Sequence, residues 1–426
     1  MDAQTTPPNA RVPQPRPASP AAAIEAHRLR FTGSGATYFR VWIVNVLLSI
    51  VTLGFYTPWA RRRTAQYFYG HTFIAGSPLE FTAQQKRMVL GFVVLVLLSL
   101  TYQLAANTGQ DLAVTLLLLG GAVLAPLIWG SAQRFRMANT RWRGLRLHFA
   151  ATWSEVYRAS WPFFAIALIW IGVFLGIQAL APDLLLETPD RGTPTPLPKG
   201  ALKPLLGMLL LGLVLSVLCV IRIEFNYSRL RVQRAQLGQE PGRWKPVYLD
   251  FVKLWMATLG VFLLSILALS LLLTLVVTLA MGGLALSTEA LKPRNLGAGV
   301  FVLILLVLFG GLTALLMATA PARAYREAAL FKLTWNHIGV SQVARFKCRL
   351  RVAAFVWLRL RNTVLTLLTL GLFRPFAMAS EYRMKVDSVT LHVKGGVDQL
   401  RGQLLQQQPG GIGDAMADAV GLDIIG

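Results

Sequence analysis

Six apolar runs without a charged side chain restrict this chain to folds that cross a membrane. They occupy residues 88–106, 112–131, 161–181, 204–221, 254–286 and 296–322. A helix needs roughly 20 apolar residues to cross a hydrocarbon core about 30 Å thick, and each run is close to that length or longer. Hydrophobic residues make up 54% of the chain and charged residues 14%, unlike a typical soluble domain. We therefore predict an all-α polytopic membrane protein, a helical bundle with six firm transmembrane spans.

The charged residues divide the stretches between the spans into two kinds. Residues 132–160, 222–253 and 321–361 hold six, seven and nine basic residues against one, three and one acidic residues. The other stretches, 107–111, 182–203 and 287–295, are acidic or nearly balanced. Basic and neutral stretches alternate, as the positive-inside rule requires of helices that cross in turn. We therefore expect the basic stretches to be cytoplasmic and the net charge of +23 to reflect topology.

An apolar phrase occurs once before the first span and once after the last. "NVLLSIVTLGFYTP" begins at Asn45 and "NTVLTLLTLGLFRP" begins at Asn362. The matching polar, glycine and proline positions are Asn45, Thr52, Gly54, Pro58 and Asn362, Thr369, Gly371, Pro375. The two segments, 41–57 and 362–378, are short for crossing helices. Each is either re-entrant, turning back near its Thr-Leu-Gly, or an ordinary span, giving spans seven and eight.

A second internal repeat follows the prolines. Pro58 and Pro126 each precede a threonine by fourteen residues, and these threonines, Thr72 and Thr140, both begin the pattern Thr-x3-Gly-x4-Phe. Alternating residues around a central Gly indicate a short turn or hairpin. We therefore predict small basic elements with short β-hairpins on the cytoplasmic side. Residues 222–253 have the same basic and aromatic character without the spacing, which suggests a degenerate copy.

The stretch "FTGSGATYFRVWIVNVLLSIVTLGFYTPWARRRTAQYFYGHTFIAG", which begins at Phe31, resembles the signature of the YjgN-like family of bacterial inner-membrane proteins. The stretch "RFRMANTRWRGLRLHF" and the closing "GDAMADAVGLDIIG" are similar to further family features, so the resemblance covers most of residues 31–426. It implies a multi-pass protein of the bacterial inner (plasma) membrane that carries a domain of unknown function. The family has no established activity whose residues could be transferred to this chain.

The order of these features predicts three regions. Residues 1–28 contain many Pro, Ala and Arg residues and no apolar core, so we expect a disordered tail. Residues 29–395 form the membrane domain. Residues 396–426 are expected to form a flexible acidic tail.

The spans contain no Asp, Glu, Lys, Arg or His. A carrier coupled to protons or sodium usually keeps such a group at membrane depth, so the sequence argues against one but permits a passive pathway or a lipid-handling groove. The two cysteines and five histidines show no metal-ligand spacing, and no catalytic triad or phosphate-binding loop occurs. We therefore expect no cofactor, no metal and no catalytic residues, and an enzyme is the weaker class.

Two functions remain open. The first is permease- or channel-like transport of a small solute, along a pathway lined by the Asn, Thr and Gly positions of the two Thr-Leu-Gly segments. The alternative is a non-transporting envelope or lipid-organising protein that binds anionic headgroups through a cytoplasmic arginine layer. That layer comprises Arg61, Arg62, Arg63, Arg134, Arg136, Arg141, Arg143 and Arg146. Because these arginines lie near span ends, we expect anionic membrane lipids as partners and no nucleic acid; the sequence indicates no particular soluble ligand or oligomeric state.

Overall fold

The structure is a computed structural model that describes residues 24–180, 200–237, 240–283, 296–340, 344–397 and 402. Within these ranges, the side chains of residues 273, 276–283 and 296–316 are outside the described part. The described residues form ten α-helices and eleven short β-strands. Apart from the first strand, β1 (Ile24–Arg28), all of them belong to five consecutive strand–helix–helix–strand units.

The first and fifth units have the shortest helices, and we call their helix pairs the short hairpins. The first unit contains β2 (Arg30–Phe31), α1 (Gly35–Val51), α2 (Thr57–Gly70) and β3 (Thr72–Ile74). The fifth contains β10 (Ala344–Cys348), α9 (Val352–Leu368), α10 (Arg374–Val386) and β11 (Val389–Lys394). These two units hold the two Thr-Leu-Gly segments.

The three central units have longer helices. The second contains β4 (Ser77–Phe81), α3 (Gln85–Asn107), α4 (Asp111–Ala138) and β5 (Thr140–Trp142). The third contains β6 (Leu145–Phe149), α5 (Trp153–Leu180), α6 (Leu202–Gln233) and β7 (Ala235–Leu237). The fourth contains β8 (Glu240–Arg243), α7 (Tyr248–Gly283), α8 (Leu296–His337) and β9 (Gly339–Val340).

Capping boxes define the points at which the chain leaves a strand and enters a helix. At the start of α1, the Thr37 N–H donates to Ser34 Oγ at 3.1 Å, and the Ser34 N–H donates to Thr37 Oγ1 at 3.2 Å. At the start of α5, the Thr152 N–H donates to Glu155 Oε2 at 3.0 Å, and the Glu155 N–H donates to Thr152 Oγ1 at 3.3 Å. These reciprocal bonds satisfy amide groups that have no partner within the helix, and so they favour helix initiation there.

The eleven strands form one antiparallel sheet in the order β1-β11-β10-β9-β8-β7-β6-β5-β4-β3-β2. Within each unit the first strand pairs with the last, and the last strand of one unit pairs with the first strand of the next. Each helix pair therefore leaves the sheet and returns to it at a neighbouring position.

The sheet nearly closes into a barrel. Its two end strands, β1 and β2, are separated along the chain only by Leu29. β1 pairs with β11 and β2 pairs with β3, while the Leu29 N–H donates to the Val389 carbonyl oxygen at 3.0 Å. The first and fifth units therefore become neighbours, although 269 residues, 75–343, lie between them.

Two of the strand connections are two-residue turns with a clear sequence cause. Ala75 and Gly76 connect β3 to β4 with φ of 47° and 79°, and Arg143 and Gly144 connect β5 to β6 with φ of 50° and 82°. Two consecutive positive φ angles match the twist of antiparallel strands, and Gly adopts such angles without strain. The predicted hairpins of the Thr-x3-Gly-x4-Phe elements are present, with Thr72 and Thr140 as first strand residues.

The helices pack in a ring that follows the order of the sheet. Besides the pairs within each unit, α2 packs against α3, α4 against α5, α6 against α7, α8 against α9, and α10 against α1. The first helix of each unit has 17, 23, 28, 36 and 17 residues in turn. At 1.5 Å per residue, α1 and α9 are about 26 Å long, against about 54 Å for α7. The ring is therefore much shorter on the side of the two short hairpins.

The main hydrophobic core lies between the sheet and the helices of the first, fourth and fifth units. Phe31, Leu145 and Val393 supply it from strands, while Tyr38 and Phe355 supply it from α1 and α9. Outside this core, large apolar side chains of α3 to α7 are mostly exposed. Such a distribution is expected when lipid, rather than protein or water, surrounds the longer helices.

The prediction of an all-α bundle with six firm spans is wrong. An eleven-stranded sheet accompanies the helices, and five of the described helical segments are long and apolar enough to cross a membrane. They are Gln85–Asn107, Asp111–Ala138, Trp153–Leu180, Leu202–Gln233 and Tyr248–Leu272. The sixth predicted span, 296–322, falls within α8, where the side chains of residues 296–316 are outside the described part. The sheet was missed because its strands have only two to six residues, too few to show a regular alternation.

The predicted tails lie largely outside the described residues. Residues 24–28, the end of the predicted amino-terminal tail, form β1, and the rest of that tail is outside the described part. Of the predicted carboxy-terminal tail, only residues 396, 397 and 402 are described.

Candidate functional site

The Thr-Leu-Gly of the first unit is a tight turn between α1 and α2. Thr52 Oγ1 donates to the Leu48 carbonyl oxygen at 2.7 Å and accepts the Tyr56 N–H at 3.0 Å, so one hydroxyl joins the end of α1 to the start of α2. Leu53 and Gly54 follow with φ of 49° and 91°. The Gly54 N–H donates to the Ser49 carbonyl oxygen at 2.7 Å. Such left-handed residues at a helix end satisfy its last carbonyl groups and reverse the chain.

The fifth unit has the same turn. Thr369 Oγ1 donates to the Leu365 carbonyl oxygen at 2.7 Å and accepts the Phe373 N–H at 2.9 Å. Leu370 and Gly371 have φ of 49° and 94°. Pro58 lies in the first turn of α2, and Pro375 lies in the first turn of α10. An N–H at this position has no partner within the helix, so proline, which lacks one, costs no hydrogen bond there. The repeated Thr, Gly and Pro positions therefore build the turn itself.

The asparagines of the two copies are buried between the helices of their own hairpins. Asn45 is 5% exposed, and its Nδ2 donates to the Ala60 carbonyl oxygen at 3.4 Å. Asn362 is 1% exposed, and its Nδ2 donates to the Ala377 carbonyl oxygen at 3.5 Å. Both bonds span fifteen residues along the chain. Each asparagine thus connects the two helices of a short hairpin.

Asn362 has additional partners that Asn45 lacks. Its Nδ2 donates to Ser380 Oγ at 3.1 Å and to Glu381 Oε1 at 3.0 Å. The other oxygen of buried Glu381 is paired with Arg359. Arg359 also lies 3.4 Å from Glu327, which pairs with Lys385 at 2.6 Å. This network of two acidic and two basic side chains, with one asparagine, joins α8, α9 and α10.

The sequence predicted none of this network, because its members lie on three helices. Its two acidic residues, Glu327 and Glu381, are more than fifty residues apart in the sequence. A signal existed in the aligned copies: the positions matching Arg359 and Glu381 in the first unit are Trp42 and Thr64. That difference marks the charges as peculiar to the fifth unit.

The two short hairpins pack directly against each other. The Gly35 position allows the closest approach, since a Cβ there would lie 2.5 Å from Phe376 Cδ1 and 3.0 Å from Phe376 Cα. The rings of Phe39 and Phe376 are 5.8 Å apart, and Arg383 Nη2 donates to the Gly33 carbonyl oxygen at 2.6 Å. The space between these parts of the two repeats is therefore filled by side chains.

A phenol strengthens this contact near the sheet. Tyr382 of α10 and Thr72 of β3 have their hydroxyl oxygens 3.0 Å apart. Burial raises the pKa of Tyr382 above its usual value, although the hydrogen bond with Thr72 opposes this. The phenol stays protonated at neutral pH and can serve as a hydrogen-bond donor between the first and fifth units.

The tips of the short hairpins carry exposed apolar side chains. Leu53 is 90% exposed and Leu370 is 95% exposed. Exposed Val51 and Phe55 flank the first tip, and exposed Leu368 and Leu372 flank the second. Leu53 and Leu370 both have positive φ, a conformation that Gly or Asn adopts at much lower cost.

The first five arginines of the predicted layer lie on second helices. Arg61, Arg62 and Arg63 are in the first half of α2, whereas Arg134 and Arg136 are near the end of α4 that leads back to the sheet. Arg61 and Arg63 are exposed on α2, and Arg136 is exposed in the last turn of α4. Arg62 is partly buried, and its Nε has no hydrogen-bond partner. Arg134 is committed to packing: its guanidinium carbon lies 3.8 Å from the Trp153 ring centroid, and Nη2 donates to the Ala151 carbonyl oxygen at 2.7 Å.

The last three arginines lie in the β5–β6 hairpin of the sheet. Arg141 faces Glu80 on one side and Arg146 on the other as cross-strand neighbours. Arg143 occupies the turn, where Nε donates to Ser77 Oγ at 2.8 Å and Nη2 donates to the Ala75 carbonyl oxygen at 2.7 Å. The structure thus brings the five arginines from Arg134 to Arg146 to the sheet end of neighbouring units, with Arg134 and Arg143 held by local contacts, whereas Arg61, Arg62 and Arg63 lie further from the sheet on α2.

A cleft that the sequence did not predict lies between α6 and the start of α7. Its volume is about 360 Å³. Its lining combines two arginines with aromatic and apolar side chains: Arg222, Phe225, Arg229, Gln233, Trp244, Pro246, Val247 and Tyr248. A second cleft of about 500 Å³ lies on the sheet beside Arg28, Arg30 and His27. In the described part of the chain, no three His, Cys, Asp or Glu residues are grouped as metal ligands.

Comparisons with known proteins agree with this membrane architecture. The family described as "Bacterial protein of unknown function (DUF898)" matches residues 26–419. A protein named "Inner membrane protein YjgN" from Escherichia coli O157:H7 is 27% identical over 150 residues, which are 35% of this chain and 37% of that protein. Its namesake from Salmonella typhimurium is 27% identical over 144 residues, which are 34% of this chain and 35% of that protein.

The aligned region spans only about a third of these curated relatives. No solved structure matches the chain. The family match nevertheless covers nearly the whole sequence and agrees with the resemblance to YjgN-like proteins. This chain belongs to the DUF898 family and is a multi-pass protein of the bacterial inner membrane.

Proposed function

We propose that this inner-membrane protein does not transport a solute but binds anionic lipid headgroups through a basic face at the sheet end of its helix ring. One observation carries the proposal: the fold returns every second helix to one sheet, and basic residues accompany that return. Arg136 lies in the last turn of α4 and Arg141, Arg143 and Arg146 lie in the adjoining β5–β6 hairpin, while exposed Arg61 and Arg63 lie in the first half of α2. A basic side chain near an anionic membrane surface contributes about 1 kcal/mol to attraction. Several such residues on one part of the surface retain anionic lipids in preference to zwitterionic ones.

The burial of the two asparagines favours this function over transport. A solute pathway along the Thr-Leu-Gly segments needs Asn45 and Asn362 to face a cavity. Instead, both are at most 5% exposed and donate to backbone carbonyl groups of the opposite helix in the same hairpin. Phe39 and Phe376 fill space between the two hairpins. These contacts support a structural role for the repeated residues.

The short hairpins enter the membrane from the sheet side and turn back within it. Two observations support this arrangement. Both ends of each hairpin connect to strands of one sheet, β2 and β3 or β10 and β11, which pair with each other. Leu53 and Leu370 keep large apolar side chains exposed at left-handed positions. A leucine there is disfavoured both by its backbone angle and by water, so contact with acyl chains explains its presence in both copies.

Under this arrangement the basic face lies on the cytoplasmic side, in accord with the excess of basic residues in the stretches that connect to the sheet. The headgroups of the cytoplasmic leaflet then lie next to the arginines. The proposed role is to hold anionic lipids around the helix ring, with no chemical step.

Lipid retention tests the proposed function. The purified protein is placed in nanodiscs that contain equal amounts of phosphatidylglycerol and phosphatidylcholine, and the lipids that remain bound after mild detergent extraction are counted by native mass spectrometry. The wild type should retain phosphatidylglycerol preferentially. The triple variant Arg61→Gln, Arg63→Gln, Arg136→Gln should lose up to about 100-fold of this preference, at about 1 kcal/mol per arginine.

The matched control replaces the same three arginines with lysine, which preserves charge and should preserve the preference. Equal retention of the two lipids by the wild type contradicts the proposal. So does a glutamine variant that behaves like the wild type. A solute flux in proteoliposomes that disappears on changing both Asn45 and Asn362 to Leu would favour transport instead.

A further inference from the structure

The cleft between α6 and α7 concentrates positive charge next to a candidate membrane span. Arg222 and Arg229 lie on one face of α6, two turns apart, and Tyr248 is the first residue of α7. The Arg222 guanidinium carbon lies 5.0 Å from the Tyr248 ring centroid and 5.4 Å from that of Phe225. Stacking on the two rings restrains this guanidinium without using up its hydrogen-bond donors.

The acidic side chains nearest in sequence to the cleft arginines make contacts with other residues. Glu224 pairs with Arg326 at 2.7 Å and accepts the indole N–H of Trp255 at 2.7 Å. Asp250 accepts the Val247 N–H at 2.9 Å, at the start of α7. Among the described residues, neither cleft arginine has a carboxylate within ion-pair distance. Arg229 has only a neutral partner, Gln233, whose Oε1 accepts its Nε–H at 3.0 Å. Within the described part of the chain, no carboxylate therefore neutralises these two positive charges.

A buried donor without a partner provides a second, independent observation. Trp244 lines the cleft, and its Nε1 is buried with no hydrogen-bond partner. A buried N–H that makes no hydrogen bond is destabilising, and most such groups in proteins are satisfied by a partner, water or a ligand. Gly242 holds β8 close to α6, since a Cβ there would collide with the Val232 carbonyl oxygen. The indole therefore belongs to a packed wall rather than to a free surface side chain.

We propose that this cleft binds a phosphate-bearing anion, the chemistry shared by a phospholipid headgroup and free phosphate. Guanidinium groups bind phosphate oxygens through paired, charge-assisted hydrogen bonds, and an indole N–H adds a neutral donor. A volume of about 360 Å³ accommodates a headgroup-sized ligand. Because α7 continues directly from Tyr248 into a candidate span, a lipid phosphate in the cleft would keep its acyl chains beside apolar helix.

The lipid form of this site rests on the proposed function, yet its residues are separate from the eight arginines of the predicted layer. The two proposals can therefore fail independently. Loss of the general phosphatidylglycerol preference without loss of cleft binding would refute only the basic face. The reverse result would refute only the cleft.

The test measures binding of two soluble probes to the full-length protein in mild detergent. One probe is inorganic phosphate and the other is dihexanoyl phosphatidic acid, each titrated by isothermal calorimetry. The wild type should bind the lipid probe. Arg222→Gln and Arg229→Gln should each weaken binding by about 10- to 100-fold, since each removes a charge-assisted hydrogen bond. If the two probes bind with equal affinity, the cleft is a free-phosphate site. If the lipid probe binds more tightly than inorganic phosphate, the cleft is a headgroup site.

Three variants make the outcome decisive. Arg222→Lys and Arg229→Lys keep the charge and should recover part of the affinity. Trp244→Phe removes the indole N–H together with part of a ring that packs near Phe251, so its folding is checked by circular dichroism, and the folded variant should bind about 10-fold more weakly. Arg158→Gln, an exposed arginine on α5, serves as the control and should leave binding unchanged. Absence of binding of both probes by the wild type, or unchanged binding in Arg222→Gln, Arg229→Gln and Trp244→Phe, overturns the proposal.

Discussion

Asn45 and Asn362 occupy matching positions in the two short hairpins, yet their substitution by leucine should have different effects on stability. Leucine has the same branching as asparagine but larger terminal groups, so the change removes hydrogen bonds and adds a packing cost at both buried positions. In the fifth unit, Asn362→Leu removes donors from Ser380 Oγ and from Glu381 Oε1. A hydrogen bond to a charged group contributes about 1.5–3 kcal/mol, and buried Glu381 would keep only its pairing with Arg359.

In the first unit, Asn45→Leu removes less hydrogen bonding. Asn45 makes one long bond of 3.4 Å, and its Oδ1 has no partner. Removing an unsatisfied buried oxygen offsets the loss of that bond. Because Asn362 Oδ1 is also without a partner, the two variants gain equally on that atom. We expect Asn362→Leu to lower the free energy of unfolding by about 2 kcal/mol more than Asn45→Leu does, because only Asn362 loses the bonds with Ser380 and Glu381.

Denaturation in mixed micelles measures these differences. The helical circular dichroism signal is followed while sodium dodecyl sulfate is added to the protein in dodecyl maltoside. Repeating Asn362→Leu in a Glu381→Gln background should reduce its effect by about 1 kcal/mol, since the two side chains are in contact. Equal losses for the two leucine variants, or a larger loss for Asn45→Leu, would refute the reasoning.

Three further changes test the turn, the central helices and the basic face. Gly54→Ala and Gly371→Ala should each lower stability by about 1–2 kcal/mol in the same denaturation assay, because the two glycines have φ of 91° and 94°. As a control, Gly120→Ala should raise stability by up to about 1 kcal/mol, because Gly120 lies inside α4 with open space around its Cα. Arg326→Gln should lower stability by about 1–3 kcal/mol, because it leaves Glu224 with only a neutral donor, whereas Arg326→Lys should lose less. Retention of phosphatidylglycerol, counted by mass spectrometry, should weaken as salt rises from low to about 1 M, since salt screens exposed charges.

The membrane character and the turns could be predicted because each depends on neighbouring residues. Long uncharged runs identify the spans that α3 to α7 contain. For the Thr-Leu-Gly phrase the sequence left a chain reversal and an ordinary span open. The structure has the reversal, in which Thr supplies a side-chain bond and Gly adopts a positive φ. The repeated Thr-x3-Gly-x4-Phe elements indicate hairpins through their central Gly, which occupies the second turn position.

The sheet and the ion-pair network could not be predicted because they depend on distant parts of the chain. Strands as short as β2 and β9, with two residues each, have no detectable period. The copy without the spacing still forms β7 and β8. Glu381 and Arg359 gain their roles only when α9 and α10 pack.

The cleft could not be predicted for a related reason. Arg222, Arg229 and Trp244 lie in a stretch that reads simply as a basic, aromatic loop between spans. Its charges become a site only because Glu224 turns to α7 and α8, leaving the arginines without an acidic partner. Burial of the Trp244 indole N–H likewise depends on how β8 packs against α6.

The direction in which the short hairpins leave the membrane is the most direct test of the account. Single cysteines replace Ala36 at the start of α1, Arg63 on α2 and Asn107 at the end of α3, in a background where Cys219 and Cys348 are changed to Ala. All three test positions are exposed. A membrane-impermeant maleimide is applied to spheroplasts and to inverted vesicles. We predict labelling of positions 36 and 63 only in inverted vesicles, and of position 107 only in spheroplasts. Labelling of positions 36 and 63 from opposite faces would contradict the account.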